Sequence, residues 1–183
     1  MIMSGYYFRI VFLLLAAWLA SGISVLAAGS GTIQMDAERK LVTLTDGQGR
    51  LALRLNYNDR CVLDQVIVRG REVAAESGVA SGIRMDGRWF TTKTGIASPS
   101  VVIKKNILTV TGIIFGQPGS EVHETWQFTV QTNQILWRIT RKYATPATLE
   151  DAAFPEWDFR RMSTWTGGML DDGGVVWNKY LET

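Results

Sequence analysis

Apolar and polar residues alternate with a period of two along much of this chain, and no other feature constrains the fold as strongly. The pattern is clearest in three segments, at residues 51–57, 122–130 and 135–140. Successive side chains of a β-strand point to opposite faces of the sheet, so these segments are predicted to be half-buried strands. They are also rich in β-branched and aromatic residues, which favour a pleated surface.

Turn signals separate the predicted strands at intervals of roughly ten residues. They are Asp46-Gly47, Arg69-Gly70, Asp86-Gly87, Pro99, Gln117-Pro118-Gly119 and Thr132-Asn133. No segment carries a sustained apolar pattern with helical spacing. The sequence therefore predicts an all-β, antiparallel sandwich or barrel.

The first 28 residues have the features of a secretory signal peptide. Arg9 gives a short positive segment, and residues 10–20 are unbroken apolar sequence. Small or permissive residues at positions −3 and −1 of a cleavage site are offered by Val25-Leu26-Ala27 or by Ala27-Ala28-Gly29. We expect a signal-peptide helix that is cleaved, and a protein that is exported to the periplasm or the extracellular space. The alternative is an uncleaved membrane anchor, because the apolar stretch is nearly long enough to span a bilayer. No basic cluster follows it, which favours cleavage and no stable anchor.

Beyond the signal peptide, we expect a single β-sandwich domain over residues 29–159 and a loop-rich tail or linker over 160–183. The partly apolar end of the chain leads us to expect a further domain downstream. The formal net charge is +2, and Lys and Arg form no run, so neither nucleic acid nor an acidic membrane is a predicted partner. The single cysteine, Cys61, cannot form an internal disulfide and is predicted to be a small buried apolar residue.

Four segments with long, Trp-containing strands are similar to one known class of domain. They are Gly82–Phe90, His123–Val130, Ile135–Tyr143 and Phe154–Phe159. The region from Leu51 to Phe159 resembles the N-terminal β-sandwich of secreted bacterial glycoside hydrolases, which has the galactose-mutarotase-like or supersandwich fold. The resemblance implies a supersandwich-like domain in a carbohydrate context. Stand-alone mutarotases of this class use two histidines and a carboxylate, whereas this chain has one histidine, His123.

Three acidic residues are candidates for catalysis. Glu124 shares a strand face with Trp126 and Phe128, so it is predicted to be a partly buried carboxylate with a raised pKa, or else a rim carboxylate paired with Arg138 or Arg141. Glu156 and Asp158 flank Trp157 and would lie about 6–7 Å apart in an extended segment. That is near the separation of the two carboxyl groups in glycosidases. The alternative is a surface loop in which Trp157 packs into the core.

Tryptophans near turns and in the tail are candidates for stacking on sugar rings, and they are Trp89, Trp157, Trp165 and Trp177. The alternative for each is an aromatic residue that closes the end of the sandwich. Asp171 and Asp172 could bind calcium through carboxylate oxygens, or form a solvated turn. No cofactor is predicted.

Three hypotheses follow. The first is an accessory N-terminal sandwich of an exported glycoside hydrolase, which shapes the binding of a polysaccharide or oligosaccharide while a downstream domain of the same protein carries the catalytic residues. The second is a stand-alone carbohydrate-binding module. The third is an epimerase-like or lyase-like sandwich enzyme, against which the single histidine counts.

Overall fold

The computed structural model describes residues 30–94 and 99–160, together with the backbone of a hairpin at 168–171 and 174–177. The predicted signal peptide lies outside the described residues. The strands in chain order are β1 (Thr32–Asp36), β2 (Leu41–Thr45), β3 (Leu51–Asn56), β4 (Val62–Val68), β5 (Arg71–Glu72), β6 (Ala80–Met85), β7 (Arg88–Thr91), β8 (Ser100–Lys104), β9 (Ile107–Gln117), β10 (Ser120–Val130), β11 (Ile135–Tyr143), β12 (Asp151–Glu156), β13 (Gly168–Asp171) and β14 (Gly174–Trp177).

The strands form antiparallel sheets, and the described residues include no helix. One sheet has five strands in the order β1-β2-β3-β4-β5, and a second has four in the order β11-β10-β9-β8. A third contains β12, β6 and β7 in that order, and β13 pairs with β14. The prediction of an all-β, antiparallel sandwich is confirmed. The β13–β14 hairpin lies in the stretch that was predicted to be loop-rich.

The core lies between the inward faces of the two larger sheets, as the period of two predicts. Leu53 and Leu55 of β3 are buried, as are Trp126 and Phe128 of β10. Trp126, Phe128 and Trp137 form an aromatic cluster in which the Trp126 and Trp137 ring centroids are 4.7 Å apart. Cys61 is fully buried in the same core, which confirms its prediction as a small buried residue.

Two hairpin turns use backbone conformations that favour glycine. Asp86 and Gly87 both have positive φ angles (48° and 71°), and so do Arg69 and Gly70 (50° and 77°). Positive φ at both central residues is the signature of the type I′ turn, whose twist matches that of the flanking strands. The Arg69-Gly70 turn joins Val68 to Arg71, so the predicted hairpin tip is confirmed.

Gly78 needs both a positive φ angle and the absence of a side chain. Its φ is +71°, and a Cβ atom there would lie 2.7 Å from the Leu63 carbonyl oxygen and 2.7 Å from Val62 Cγ2. Gly87 has the same φ of +71° but open space around it. We expect Gly78→Ala to lower the free energy of unfolding by about 2 kcal/mol, because it adds a steric clash to the backbone strain. Urea unfolding followed by circular dichroism measures the change.

Gly87→Ala is the matched control, since it introduces the same backbone strain without the clash. We expect it to cost about 1 kcal/mol. Equal losses for the two variants would contradict the close packing of Gly78 against the backbone of β4.

Candidate functional site

Glu124 lies at the centre of a buried polar network that joins two sheets. Its carboxylate accepts hydrogen bonds from Arg141 Nε to Oε1 at 2.6 Å, Ser81 Oγ to Oε1 at 2.7 Å and Trp126 Nε1 to Oε2 at 2.8 Å. The side chains of Glu124 and Arg141 are 0% and 2% exposed. Both carboxylate oxygens are therefore occupied by donors, and the charge is matched by an adjacent guanidinium.

Strand register places the members of this network together. Glu124 of β10 is paired directly with Arg141 of β11, so their side chains emerge on the same face. Ser81 comes from β6 in a different sheet, and its hydroxyl oxygen also lies 3.2 Å from the Ala153 carbonyl oxygen of β12. The alternative in which Glu124 pairs with Arg141 is the arrangement present in the structure. The pair is buried rather than at a rim, because β6 and β12 cover it. Arg138 lies on the opposite, exposed face of β11.

Arg141 extends the network to β12. Its Nη2 donates to Ser81 Oγ at 2.7 Å, to the Ala153 carbonyl at 3.0 Å and to the Gly82 carbonyl at 3.2 Å. The Phe154 ring covers the guanidinium, with 3.7 Å between Arg141 Cζ and the ring centroid. Arg141 Nη1 is buried and makes no hydrogen bond within the part of the chain that the structure describes. The geometry is that of an internal ion pair that holds β6 and β12 against β10 and β11.

A second candidate site is a pair of stacked aromatic rings, the exposed Trp157 and the half-buried Phe159, which we call the aromatic platform. The two ring centroids lie 5.7 Å apart with an interplanar angle of 13°. Trp157 also makes an edge contact with Trp137 at 6.4 Å, which connects the platform to the aromatic cluster of the core. Trp157 is still 42% exposed. A held, half-exposed indole can stack on the apolar face of a sugar ring.

The backbone of the aromatic platform is fixed by the segment that follows β5. Ala75 N–H donates to the Asp158 carbonyl at 2.8 Å, and Arg160 N–H donates to the Val73 carbonyl at 2.9 Å. Between them, Ala74 and Phe159 form an antiparallel bridge. Residues 158–160 therefore continue the edge of the five-stranded sheet beside β5.

The two carboxylates that flank Trp157 have separate partners. Glu156 lies 3.6 Å from Lys93 Nζ and is 54% exposed, whereas Asp158 accepts a hydrogen bond from Ser77 Oγ at 2.6 Å. Each carboxylate thus anchors the segment around Trp157 to a different loop. Phe159 was not among the sequence candidates. The sequence could have indicated Phe159 as a neighbour of Trp157, because residues 157 and 159 share a face in an extended segment.

The other sequence candidates lie elsewhere. Trp89 is on β7, opposite Arg84 of β6, and is 47% exposed. Asp171 ends β13 and Trp177 ends β14, and only their backbone is described. Trp165 and Asp172 lie outside the described residues.

Metal sites, membrane-spanning helices and similar proteins complete the description of the chain. Among residues 30–94 and 99–160, no group of three or more His, Cys, Asp or Glu side chains is arranged to hold a metal ion. Within the described chain, no helix is both long enough and apolar enough to cross a membrane. Comparison of the chain with protein-family models, curated proteins and solved structures found no match.

Proposed function

We propose that this β-sandwich is a non-catalytic accessory domain that binds carbohydrate in an exported glycoside hydrolase. The aromatic platform is the observation that carries the proposal. Trp157 presents a half-exposed indole that is held from behind by Phe159 and Trp137. A rigid aromatic ring binds a sugar at little cost in side-chain entropy, because the ring does not have to be ordered on binding.

The environment of Glu124 supports a non-catalytic role. A general acid or a nucleophile must reach the substrate, and its oxygen must be available for a proton or a bond. The Glu124 carboxylate is fully buried and accepts three hydrogen bonds from protein donors. Glu156 and Asp158 are exposed but paired with Lys93 and Ser77. We therefore assign binding to this domain and place the chemistry of the whole enzyme in a downstream domain.

Affinity electrophoresis of the purified protein in gels that contain plant or algal polysaccharides tests the binding role. We expect retardation by at least one polysaccharide, and we expect Trp157→Ala to weaken this binding by about tenfold or more through loss of the stacked ring. Circular dichroism shows whether the variant remains folded.

Trp89→Ala is the matched control, because Trp89 is 47% exposed and no aromatic ring of the described residues stacks on it. We expect its effect on binding to be smaller than that of Trp157→Ala. No retardation of the parent protein by any polysaccharide, or equal losses in the two variants, would contradict a binding role for the aromatic platform. Polarimetry with the purified protein should show no mutarotation above the buffer rate, and a catalysed rate would contradict the non-catalytic assignment.

A further inference from the structure

One end of the sandwich gathers four turns that are far apart in sequence. Three backbone hydrogen bonds join them: Arg69 N–H to the Arg50 carbonyl, Gly47 N–H to the Gln131 carbonyl, and Val130 N–H to the Asn106 carbonyl. The β2–β3, β4–β5, β8–β9 and β10–β11 turns therefore form one continuous surface, although their residues are spread from position 46 to position 134.

The exposed charges on this surface are all positive. They belong to five residues that we call the cationic pole: Arg50, Arg69, Arg71, Lys104 and Lys105. The nearby carboxylates are used internally. Asp46 is 4% exposed and accepts the backbone N–H groups of Arg50 and Leu51, and Glu72 accepts that of Val66. In the described part of the chain, none of the five cations forms an ion pair.

The opposite end of the sandwich has mixed charge. It exposes five carboxylates together with basic residues, and the carboxylates are Asp36, Glu38, Asp59, Asp86 and Glu150. Three of them are within ion-pair distance of cations, Asp36 with Arg39 at 3.8 Å, Asp59 with Lys40 at 3.9 Å and Glu150 with Arg84 at 3.1 Å. The small net charge of +2 thus does not show that one end of the molecule carries only exposed positive charge while the other end is balanced. A surface with one sign of charge attracts ligands of the other sign.

The aromatic platform runs along the edge of the five-stranded sheet, which carries one residue of the cationic pole, Arg71 of β5. Phe159 is bridged to Ala74, and Ala74 is three residues from Arg71, or about 10 Å along an extended chain. The turns of the pole also carry uncharged amide side chains, including Gln48 and Asn133. Amides can both donate to and accept from hydroxyl groups. A ligand that extends from the platform to the pole would meet an aromatic ring and unpaired guanidinium groups, and on its way it would pass the exposed carboxylates of Glu76 and Asp158.

We infer that the carbohydrate bound by this sandwich is an acidic polysaccharide, whose carboxylate or sulfate groups bind the cationic pole while a sugar ring stacks on the aromatic platform. The inference rests on the proposed carbohydrate-binding function and names its substrate class. The stacked Trp157–Phe159 pair favours a glycan over duplex DNA, because the bases of a duplex are already stacked on each other and are not free to pack on an aromatic ring.

Matched pairs of polysaccharides test the inference by affinity electrophoresis. Polygalacturonate and its methyl ester differ in the carboxylate charge, and dextran sulfate and dextran differ in the sulfate. We expect retardation by at least one anionic member that exceeds retardation by its neutral counterpart. Raising the salt from about 0.01 M to about 0.15 M shortens the Debye length from about 30 Å to about 8 Å, so the difference should shrink. The pair that gives the larger difference identifies carboxylate or sulfate as the preferred group.

Two triple variants with the same change of net charge locate the binding surface. Arg50→Gln/Arg69→Asn/Arg71→Gln removes charge from the cationic pole, and Asn suits the positive φ at position 69. Arg39→Gln/Arg60→Gln/Arg88→Gln removes charge from the turns of the opposite end. We expect the first variant to weaken binding of the anionic polysaccharide by about tenfold and the second to have little effect.

The outcomes separate this inference from the proposed function. Equal losses in the two triple variants, or equal retardation by charged and neutral members of both pairs, would overturn the acidic-polysaccharide inference. If the protein then still bound a neutral polysaccharide in a manner that depends on Trp157, the proposed carbohydrate-binding function would stand and only the acidic-polysaccharide inference would fail. If duplex DNA bound as tightly as the anionic polysaccharides and Trp157→Ala changed neither affinity, the surface would be a general polyanion site and both proposals would fail.

Discussion

Replacing Arg141 with Met is expected to lower the free energy of unfolding by about 3–5 kcal/mol. The substitution keeps much of the side-chain volume but removes the positive charge and the donors to Glu124, Ser81 and Ala153. The Glu124 carboxylate would then be a buried charge without a cation, since its side chain is 0% exposed. Urea unfolding near neutral pH, followed by circular dichroism, measures the loss.

A second substitution tests whether the cost comes from the unpaired charge. Glu124→Gln/Arg141→Met removes both charges and leaves an amide oxygen that can accept from Trp126 or Ser81. We expect this double variant to be more stable than Arg141→Met alone by about 2 kcal/mol. The control is Arg54→Met, which breaks a partly exposed pair with Asp64 whose N–O distance of 2.7 Å is close to the 2.6 Å of the Arg141–Glu124 pair. That change should cost less than about 1 kcal/mol. Similar losses for Arg54→Met and Arg141→Met would contradict the importance of burial.

The strands could be predicted from the sequence because alternation alone reports a half-buried pleated surface. The segments 122–130 and 135–140 lie within β10 and β11, which pair along their whole length, from Val122 opposite Tyr143 to Val130 opposite Ile135. The same alternation correctly separates His123, which is exposed, from Glu124, which is buried. Which strands become neighbours is a different matter. It depends on long-range packing, which the pattern within one strand does not encode.

One partner of Glu124 could not be predicted from the sequence, because it is distant in the chain. Ser81 enters the Glu124 network from β6, and it lies 43 positions away in the chain. Nothing in the local sequence marks a buried serine as a partner of a distant carboxylate. The cationic pole could not be predicted from the sequence either, for the same reason. Its basic residues form no run in the sequence, and only the sheet register and the three hydrogen bonds between turns bring them to one surface.

The segment around Trp157 carries two pairs of residues on opposite faces. The period of two was used to place Glu156 and Asp158 on one face, but the same rule places Trp157 and Phe159 together on the other face. In the structure the acids have separate partners, and the aromatic residues are the ones that stack on each other. The glycines around β13 and β14 predict irregular backbone, whereas the structure has an antiparallel hairpin there. Glycine pairs also mark the tight turns between strands.

Alkaline pH is expected to destabilise the protein through Cys61, progressively as the pH rises above about 8.5, the ordinary pKa of a thiol. Burial, and secondarily the charge of Glu124, raises the pKa of the Cys61 thiol well above its usual range. In the unfolded chain the thiol ionises above about pH 8.5, whereas in the folded protein it keeps its proton. The folded state then binds one proton more than the unfolded state. Stability that is fully present below the unfolded pKa is therefore lost as the pH rises, at about 1.4 kcal/mol per pH unit.

Comparison of the native protein with Cys61→Ala separates the contribution of the Cys61 thiol to the pH dependence of stability from the contributions of other groups that titrate in the same range. We expect Cys61→Ala to be less stable at neutral pH, because it leaves a small cavity in the core. Its free energy of unfolding should fall less steeply above about pH 9, so that the two curves converge as the pH rises. Parallel curves would show that the thiol ionises equally in both states. They would contradict the burial of Cys61 beside Glu124, because a thiolate in that position would lose hydration and face an adjacent negative charge.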